Sequence, residues 1–125
     1  MSATTIAVVS IPVGLDELAA AIERFGTTPY LLTAGDDGRP RAVSIAPTWR
    51  GTDLVCGAGR RTSVNVAAQP AVALLWPPNE VGDHSLIVDA TAVVVGEELV
   101  ITPGNAVLHV PPARPATAPH PETSR

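Results

Sequence analysis

Four side chains that can bind an anion stand together in residues 57–70, which have the sequence GAGRRTSVNVAAQP. They are Arg60, Arg61, Thr62 and Ser63. Guanidinium groups bind phosphate oxygens through a fixed fork of donors, and hydroxyls add neutral hydrogen bonds. The same residues begin a predicted short helix, where unpaired backbone amides and the helix dipole favour an anion. The pattern predicts a phosphate-binding site, and a solvated basic surface is the alternative that this pattern leaves open.

The predicted elements on either side would place this site inside a β-rich domain. Residues 30–56 and 71–76 carry apolar, β-favouring runs that predict strands. Either Thr62 or Ser63 could cap the short helix between them. Arg41 opens the neighbouring strand, so we expect it to close the site from the side.

The rest of the chain predicts a mainly β fold with short helices. Residues 15–25 have apolar side chains at helical spacing, and residues 37–38, Asp-Gly between two strand patterns, predict a hairpin turn. Residues 84–95 predict a long strand, while residues 99–103 and 105–110 predict two further short elements. About six antiparallel strands of this kind predict a small closed or partly closed barrel.

Composition bounds the class of protein. The 125 residues fit one domain, with a folded part in residues 1–110 and a flexible, proline-rich tail in residues 111–125. Apolar residues make up 46% of the chain but only four are Phe, Tyr or Trp, so the core is expected to be thin and dimerisation would help it. The net charge of −4 argues against nucleic-acid binding.

The chain has eight arginines and no lysine, so it cannot use lysine as a Schiff base or general base. No segment has the length of a membrane span and no signal peptide is apparent, so we expect a soluble, cytoplasmic protein.

Other reactive side chains have simpler explanations than catalysis. Cys56 lies in an apolar run and is expected to be a core residue. His84 and His109 have no metal-ligand spacing, so no metal site is expected. Asp89, on an apolar strand, is expected to pair with an arginine in a dimer. Trp76 could wall a cleft or fill a dimer interface, and we favour the interface. No catalytic residue is predicted.

Three segments in order resemble the pyridoxamine 5'-phosphate oxidase-like family, the FMN-binding split β-barrels. They are YLLTAGDDGRPRAVSIAP, TDLVCGAGRRTSVNVAAQPAVALLW and HSLIVDATAVVV, and the resemblance covers about residues 15–110. The most specific part is DGRPRAV, followed about twenty residues later by the arginine-bearing junction. The resemblance implies a homodimer that holds FMN, or a related deazaflavin, in a cleft between two subunits.

The resemblance also implies roles for individual residues. Arg61 and Thr62, with Arg60, would hold the phosphate, and Arg41 would lie near the ribityl phosphate. The backbone of a neighbouring strand would run along the flavin, and a serine of the partner subunit could reach it. The full set of implied cofactor-binding residues is Arg41, Val43, Ser44, Ile45, Arg60, Arg61, Thr62 and Ser85.

Two departures from the family pattern shape the expected function. Thr62 stands where the family commonly has lysine, and ITPGNAVLHVPPARP lacks the Trp- and Arg-rich segment that grips the substrate in true pyridoxamine phosphate oxidases. We therefore expect a flavin-dependent oxidoreductase that acts on another, unknown small molecule. The alternative is a non-catalytic dimeric barrel that binds a phosphorylated or haem-like ligand.

Overall fold

The sheet that carries the predicted site has eight antiparallel strands. The structure is a computed structural model that describes residues 10–26 and 28–111. The strands are β1 (Ser10–Val13), β2 (Tyr30–Ala34), β3 (Pro40–Ser44), β4 (Thr48–Arg50), β5 (Asp53–Gly57), β6 (Ala71–Trp76), β7 (Ser85–Val95) and β8 (Glu98–His109). Their order is β3-β2-β6-β7-β8-β5-β4, and β1 pairs with β8. The mainly β prediction is confirmed, with eight strands rather than about six.

Two helices accompany this sheet. A 3₁₀ turn at Leu15–Glu17 leads into α1 (Leu18–Phe25), and α2 (Arg60–Ala68) connects β5 to β6. The amphipathic helix predicted from residues 15–25 is therefore present. None of the helices in the described ranges is long and apolar enough to cross a membrane.

The strand β8 is a single element where the sequence predicted two. It pairs with β7 along its whole length, with a register shift between Asp89 and Ala90. Asp89 lies opposite Asn105 and Ala90 opposite Pro103, which leaves Gly104 as the extra residue of a bulge. Proline is tolerated at a bulge because the ladder is interrupted there. The prediction of two short elements was wrong because β8 stays paired with β7 on both sides of the bulge.

The core lies between the inner face of the sheet and α1, with Val66 contributed by α2. Alternate strand residues point to the same side, and they meet one face of the helix there. The buried apolar side chains include Leu18, Ala21, Phe25, Leu31, Leu74, Trp76, Leu86, Val88, Leu99 and Ile101. Trp76 is 1% exposed, so the prediction that it lies in a dimer interface was wrong. A ring at the end of β6 packs inward because its neighbours Leu74 and Val72 face the core.

The hairpin between β2 and β3 forms at the predicted turn. Gly38 has φ of 79° and its amide donates to the Gly35 carbonyl at 3.0 Å. The Arg39 amide donates to Oδ1 of Asp37 at 3.0 Å. Glycine is favoured at 38 because other residues rarely adopt this positive φ. The turn sets the register that brings Arg41 opposite Thr33.

The start of α2 differs from the sequence prediction. Thr62 and Ser63 were expected as caps, but Gly59 is the N-cap and the helix begins at Arg60. Ser63 lies inside the first turn, where its Oγ donates to the Gly59 carbonyl at 2.7 Å. The cap prediction was wrong because this serine bonds back to the carbonyl four residues earlier instead of forward to a free amide. The correction places both arginines in the first turn.

Candidate functional site

Six of the eight implied cofactor-binding residues line one cavity of about 350 Å³. The cavity lies between the end of β3, the end of β5 and the beginning of α2. The six residues are Val43, Ser44, Ile45, Arg60, Arg61 and Thr62. Leu31 and Leu99, which the sequence analysis did not single out, form part of its apolar wall. Segments far apart in the chain therefore meet at one place, and their role in binding stays a prediction.

The N-terminus of α2 opens on this cavity without a side-chain cap. Gly59 has extended backbone angles, makes no side-chain hydrogen bond to the helix, and is followed by no acidic residue in the first turn. The first amides of an α-helix have no partner within the helix. The helix dipole adds a partial positive charge at the same end. Gly57 and Gly59 also line the cavity, and a Cβ at either would meet nothing within 4 Å.

The two arginines at this end are exposed and have no carboxylate partner among the described residues. Two ion pairs are present elsewhere in those ranges: Arg39 with Asp37 at 3.9 Å, and Arg50 with Glu98 at 2.9 Å. The cavity lining contains no acidic side chain. Arg60 and Arg61 therefore present uncompensated positive charge, which favours an anionic ligand.

The side of α2 that faces the sheet carries buried polar groups. Thr62 is 9% exposed and Asn65 is 2% exposed. Nδ2 of Asn65 donates a buried hydrogen bond to Oγ1 of Thr33 in β2 at 3.1 Å. Sequence reasoning gave no role to Asn65 or to Thr33. The available signal was an asparagine three residues after Thr62, on the same helical face.

Arg41 and Ser85 do not line the cavity. Arg41 is exposed in β3 and shares a strand face with Val43, two residues on. Ser85 begins β7 opposite His109, and its implied role belongs to a partner subunit. The roles of both residues stay predictions.

Arg50 differs from Arg60 and Arg61 because its charge is neutralised by the carboxylate of Glu98. Nη1 and Nη2 of Arg50 donate to the two carboxylate oxygens at 2.9 Å each. The hydrogen bonds from Arg50 lower the pKa of the Glu98 carboxyl, and the same contact raises the pKa of Arg50. Glu98 begins β8, directly after the turn formed by Gly96 and Glu97.

Other groups with reactive side chains are not part of the cavity lining. Cys56 is half-buried, and burial raises the pKa of its thiol, so the thiol stays protonated at neutral pH. Asp89 is exposed, so it needs no buried partner within the chain. Across residues 10–26 and 28–111, no group of three His, Cys, Asp or Glu side chains is placed to hold a metal ion.

A second, larger cavity lies beside α1. It has about 490 Å³ and is mainly apolar, with Leu15, Leu18, Trp49 and Pro103 among its lining residues. It contains no charged side chain. Its chemistry suits an apolar contact and not a phosphate.

Proteins related in sequence to this chain give no indication of its function. No family model matches the chain. Uncharacterized proteins of Mycobacterium bovis and Mycobacterium tuberculosis are each 37% identical over 90 residues, which cover 64% of this chain and 63% of each relative. The match therefore spans less than two thirds of the length of these relatives.

Solved structures share the fold. A Listeria innocua protein assigned as a pyridoxamine 5'-phosphate oxidase has a TM-score of 0.60 and 17% identity, and the match covers 75% of this chain and 96% of that one. HupZ of group A Streptococcus has a TM-score of 0.61, 10% identity and coverages of 78% and 98%. HutZ, the heme storage protein of Vibrio cholerae, has a TM-score of 0.55, 14% identity and coverages of 74% and 94%.

Sequence identities of 10 to 17% support a shared architecture but do not support a shared activity. The shared architecture agrees with the antiparallel sheet and the two short helices of this chain. The chain has the pyridoxamine 5'-phosphate oxidase-like split-barrel fold.

Proposed function

We propose that the chain binds a flavin cofactor, FMN or a related deazaflavin, by its phosphate group at the N-terminus of α2. The observation that carries this proposal is the pair Arg60 and Arg61, which lines the cavity with no carboxylate partner among the described residues. Two guanidinium groups and the uncapped amides match the charge and the acceptor number of a phosphate monoester. Each charge-assisted hydrogen bond contributes about 1.5 to 3 kcal/mol, or about ten- to a hundredfold in affinity.

The size and lining of the cavity suit a ligand that has a phosphate group at one end and an apolar part next to it. A volume of about 350 Å³ is at the small end of the range for ligand sites. The apolar wall formed by Leu31, Val43 and Leu99 continues from the arginines. A whole flavin needs more surface than this, so the ring would require a further wall outside the single chain.

We propose that a second copy of this chain supplies that wall. The outer face of the sheet carries an apolar row across four strands, in which Tyr30 pairs with Leu75, Leu75 with Ile87, and Ile87 with Val107. Tyr30 is 43% exposed and the other three are half-buried. An apolar row of this length on an open sheet face favours burial against a partner.

The proposed activity is an oxidoreduction of a small molecule. When bound, a flavin supplies the hydride-transfer chemistry. The chain would bind the phosphate through its arginines and orient the ring along Val43, Ser44 and Ile45. No carboxylate or histidine lines the cavity, so the chain contributes binding and orientation and not a general acid or base. The substrate and a cytoplasmic location stay predictions.

A haem-like ligand is the competing occupant, because HutZ, a heme storage protein, shares the fold. His84 and His109 are absent from the cavity lining, so a haem iron there would find no histidine ligand among the described residues. This makes a phosphate-bearing flavin the better-supported ligand.

The test is a comparison of FMN with riboflavin, which has the same ring and no phosphate. Titration of the full chain, followed by flavin fluorescence, should show tighter binding of FMN by about ten- to a hundredfold. Native mass spectrometry should show two chains and one FMN per chain. Equal binding of the two flavins, or no binding of either FMN or the deazaflavin, would contradict the proposal, and binding of haemin in their place would favour the haem-like alternative.

A further inference from the structure

The buried side-chain amide of Asn65 joins α2 to the β2–β3 hairpin. The start of α2 forms one wall of the cavity, and the hairpin forms the wall opposite. Asn65 is 2% exposed and lies one turn after Arg61. Its Nδ2 donates to Oγ1 of Thr33 at 3.1 Å, and both side chains are buried. The helix and the hairpin are therefore joined by a directional bond as well as by apolar packing.

Gly35 shows how closely the two elements approach. A Cβ atom added to Gly35 would lie 3.0 Å from Oδ1 of Asn65. Gly35 is not among the residues with positive φ, so the close side-chain oxygens of Asn65 and Asp37, and not the backbone conformation, disfavour a larger residue there. The amide of Asn65 thus lies against the hairpin at two points, Thr33 and Gly35.

Thr33 lies in β2 and pairs with β3, the strand whose end lines the cavity. Its cross-strand partner is Arg41, and Val43 follows two residues later on the same face of β3. On the helix, Asn65 shares a face with Thr62 because residues three apart are neighbours there. The hydrogen bond therefore links the position of one wall of the cavity to the position of the other.

We propose that Asn65 is a positioning residue, which holds the arginine-bearing turn of α2 at a fixed distance and rotation relative to β3. This inference rests on the proposed phosphate site. An apolar side chain of similar size could also fill the space between the two elements. It would leave the rotation of the helix less defined, because apolar contacts have no direction whereas a hydrogen bond weakens steeply when its angle changes.

The variant Thr33→Val tests this role, because valine keeps the shape of threonine and removes the acceptor of the Asn65 amide. We expect the affinity of the full chain for FMN to fall about three- to tenfold, since a misplaced charge-assisted bond loses part of its strength. The affinity for riboflavin should change by less than about twofold because that ligand makes no phosphate contact. The matched control is Thr33→Ser, which keeps the hydroxyl and should restore the preference for FMN.

A second variant, Gly35→Ala, displaces the same amide from its other side and should cause the same selective loss. Since the two substitutions are made in separate variants, a failure of one variant to fold leaves the ratio of FMN to riboflavin affinity measurable in the other. A wild-type chain that binds both flavins equally would overturn the proposed phosphate site itself. A wild-type chain that prefers FMN, with variants that melt earlier but keep the wild-type ratio, would overturn only the positioning role.

Discussion

The beginnings of the two helices differ in the charges that they carry. The turn before α1 has Asp16 and Glu17, which complement the positive end of the helix, and Arg24 lies in its last turn. The start of α2 has Arg60 and Arg61, and no acidic residue in the first turn. Charges placed as in α1 stabilise a helix by about 0.3 to 1 kcal/mol each, and charges placed as at the start of α2 oppose it.

The difference supports the proposal that the first turn of α2 serves binding, whereas α1 serves folding. The first helix buries Leu18, Ala21 and Phe25 in the core and ends at Gly26, whose φ of 61° suits the residue after a helix. The start of α2 keeps an uncapped N-terminus beside a cavity. Arginines at the positive end of a helix lower the stability of the ligand-free chain, and a bound anion would offset this loss. A loss of stability in exchange for binding is common at binding sites.

The largest expected effect is on stability and concerns α1. Leu18→Ala removes a side chain that is 1% exposed and should lower the free energy of unfolding by about 2 to 5 kcal/mol. The matched change on α2 is Val64→Ala, at a side chain that is 58% exposed, and it should change that free energy by less than about 0.5 kcal/mol. Urea unfolding followed by tryptophan fluorescence measures both. Similar losses for the two variants would show that the exposed face of α2 stabilises the chain as much as the buried face of α1, which would break the comparison.

The next effect is on binding and concerns the charge at the start of α2. Replacing Arg60 and Arg61 together by glutamate should weaken FMN binding by more than about a hundredfold. The same change should stabilise the ligand-free chain by up to about 1 kcal/mol, because acidic residues complement the helix dipole. Isothermal titration with FMN and urea unfolding without it measure the two effects.

The control for this double variant is Arg24→Glu, in the last turn of α1. It should leave FMN affinity unchanged and destabilise the chain by about 0.3 to 1 kcal/mol, since a negative charge opposes that end of the dipole. If the double variant lost stability and kept its affinity for FMN, the binding role of the α2 turn would be wrong.

The smallest effect concerns the cap of α2. Gly59 has φ of −75°, which any residue can adopt, and a Cβ there meets nothing within 4 Å. Gly59→Asp should therefore stabilise the ligand-free chain by a few tenths of a kcal/mol through a new cap. It should also weaken FMN, because the carboxylate repels the phosphate and occupies the same amides.

Gly59→Ala is the control for the cap, because alanine adds a Cβ without an oxygen. Its FMN affinity should remain within about twofold of wild type, and differential scanning calorimetry reports its stability. An aspartate variant that binds FMN as tightly as the alanine variant would show that these amides do not face the phosphate.

Local patterns predicted a large part of this molecule correctly. The helix in residues 15–25, the hairpin turn at 37–38 and the long strand ending at Val95 all appear in the structure. Each depends on side-chain periodicity or turn chemistry within about a dozen residues, which the sequence displays directly. The grouping of Arg60 and Arg61 was likewise visible, because the two are adjacent.

Errors arose where a longer-range contact competed with a local one. Pro103 suggested an end to a strand, but the pairing of β7 with β8 continues past it. Trp76 was assigned to an interface, although its inward-facing place on β6 buries it in the core of the chain. The predicted tail, residues 111–125, lies outside the described residues apart from Pro111, so it stays a prediction.

By itself, the sequence determined most of the elements that form and that an arginine pair begins a short helix between two strands. Only the tertiary structure decided that this pair shares a cavity with Val43 and that Asn65 bonds to Thr33, 32 residues away. The physical reason is that hydrophobic periodicity and turn chemistry act between near neighbours in the chain. The meeting of α2 with the β2–β3 hairpin depends instead on the order of strands in the sheet, which is set by the burial of all their inner faces at once.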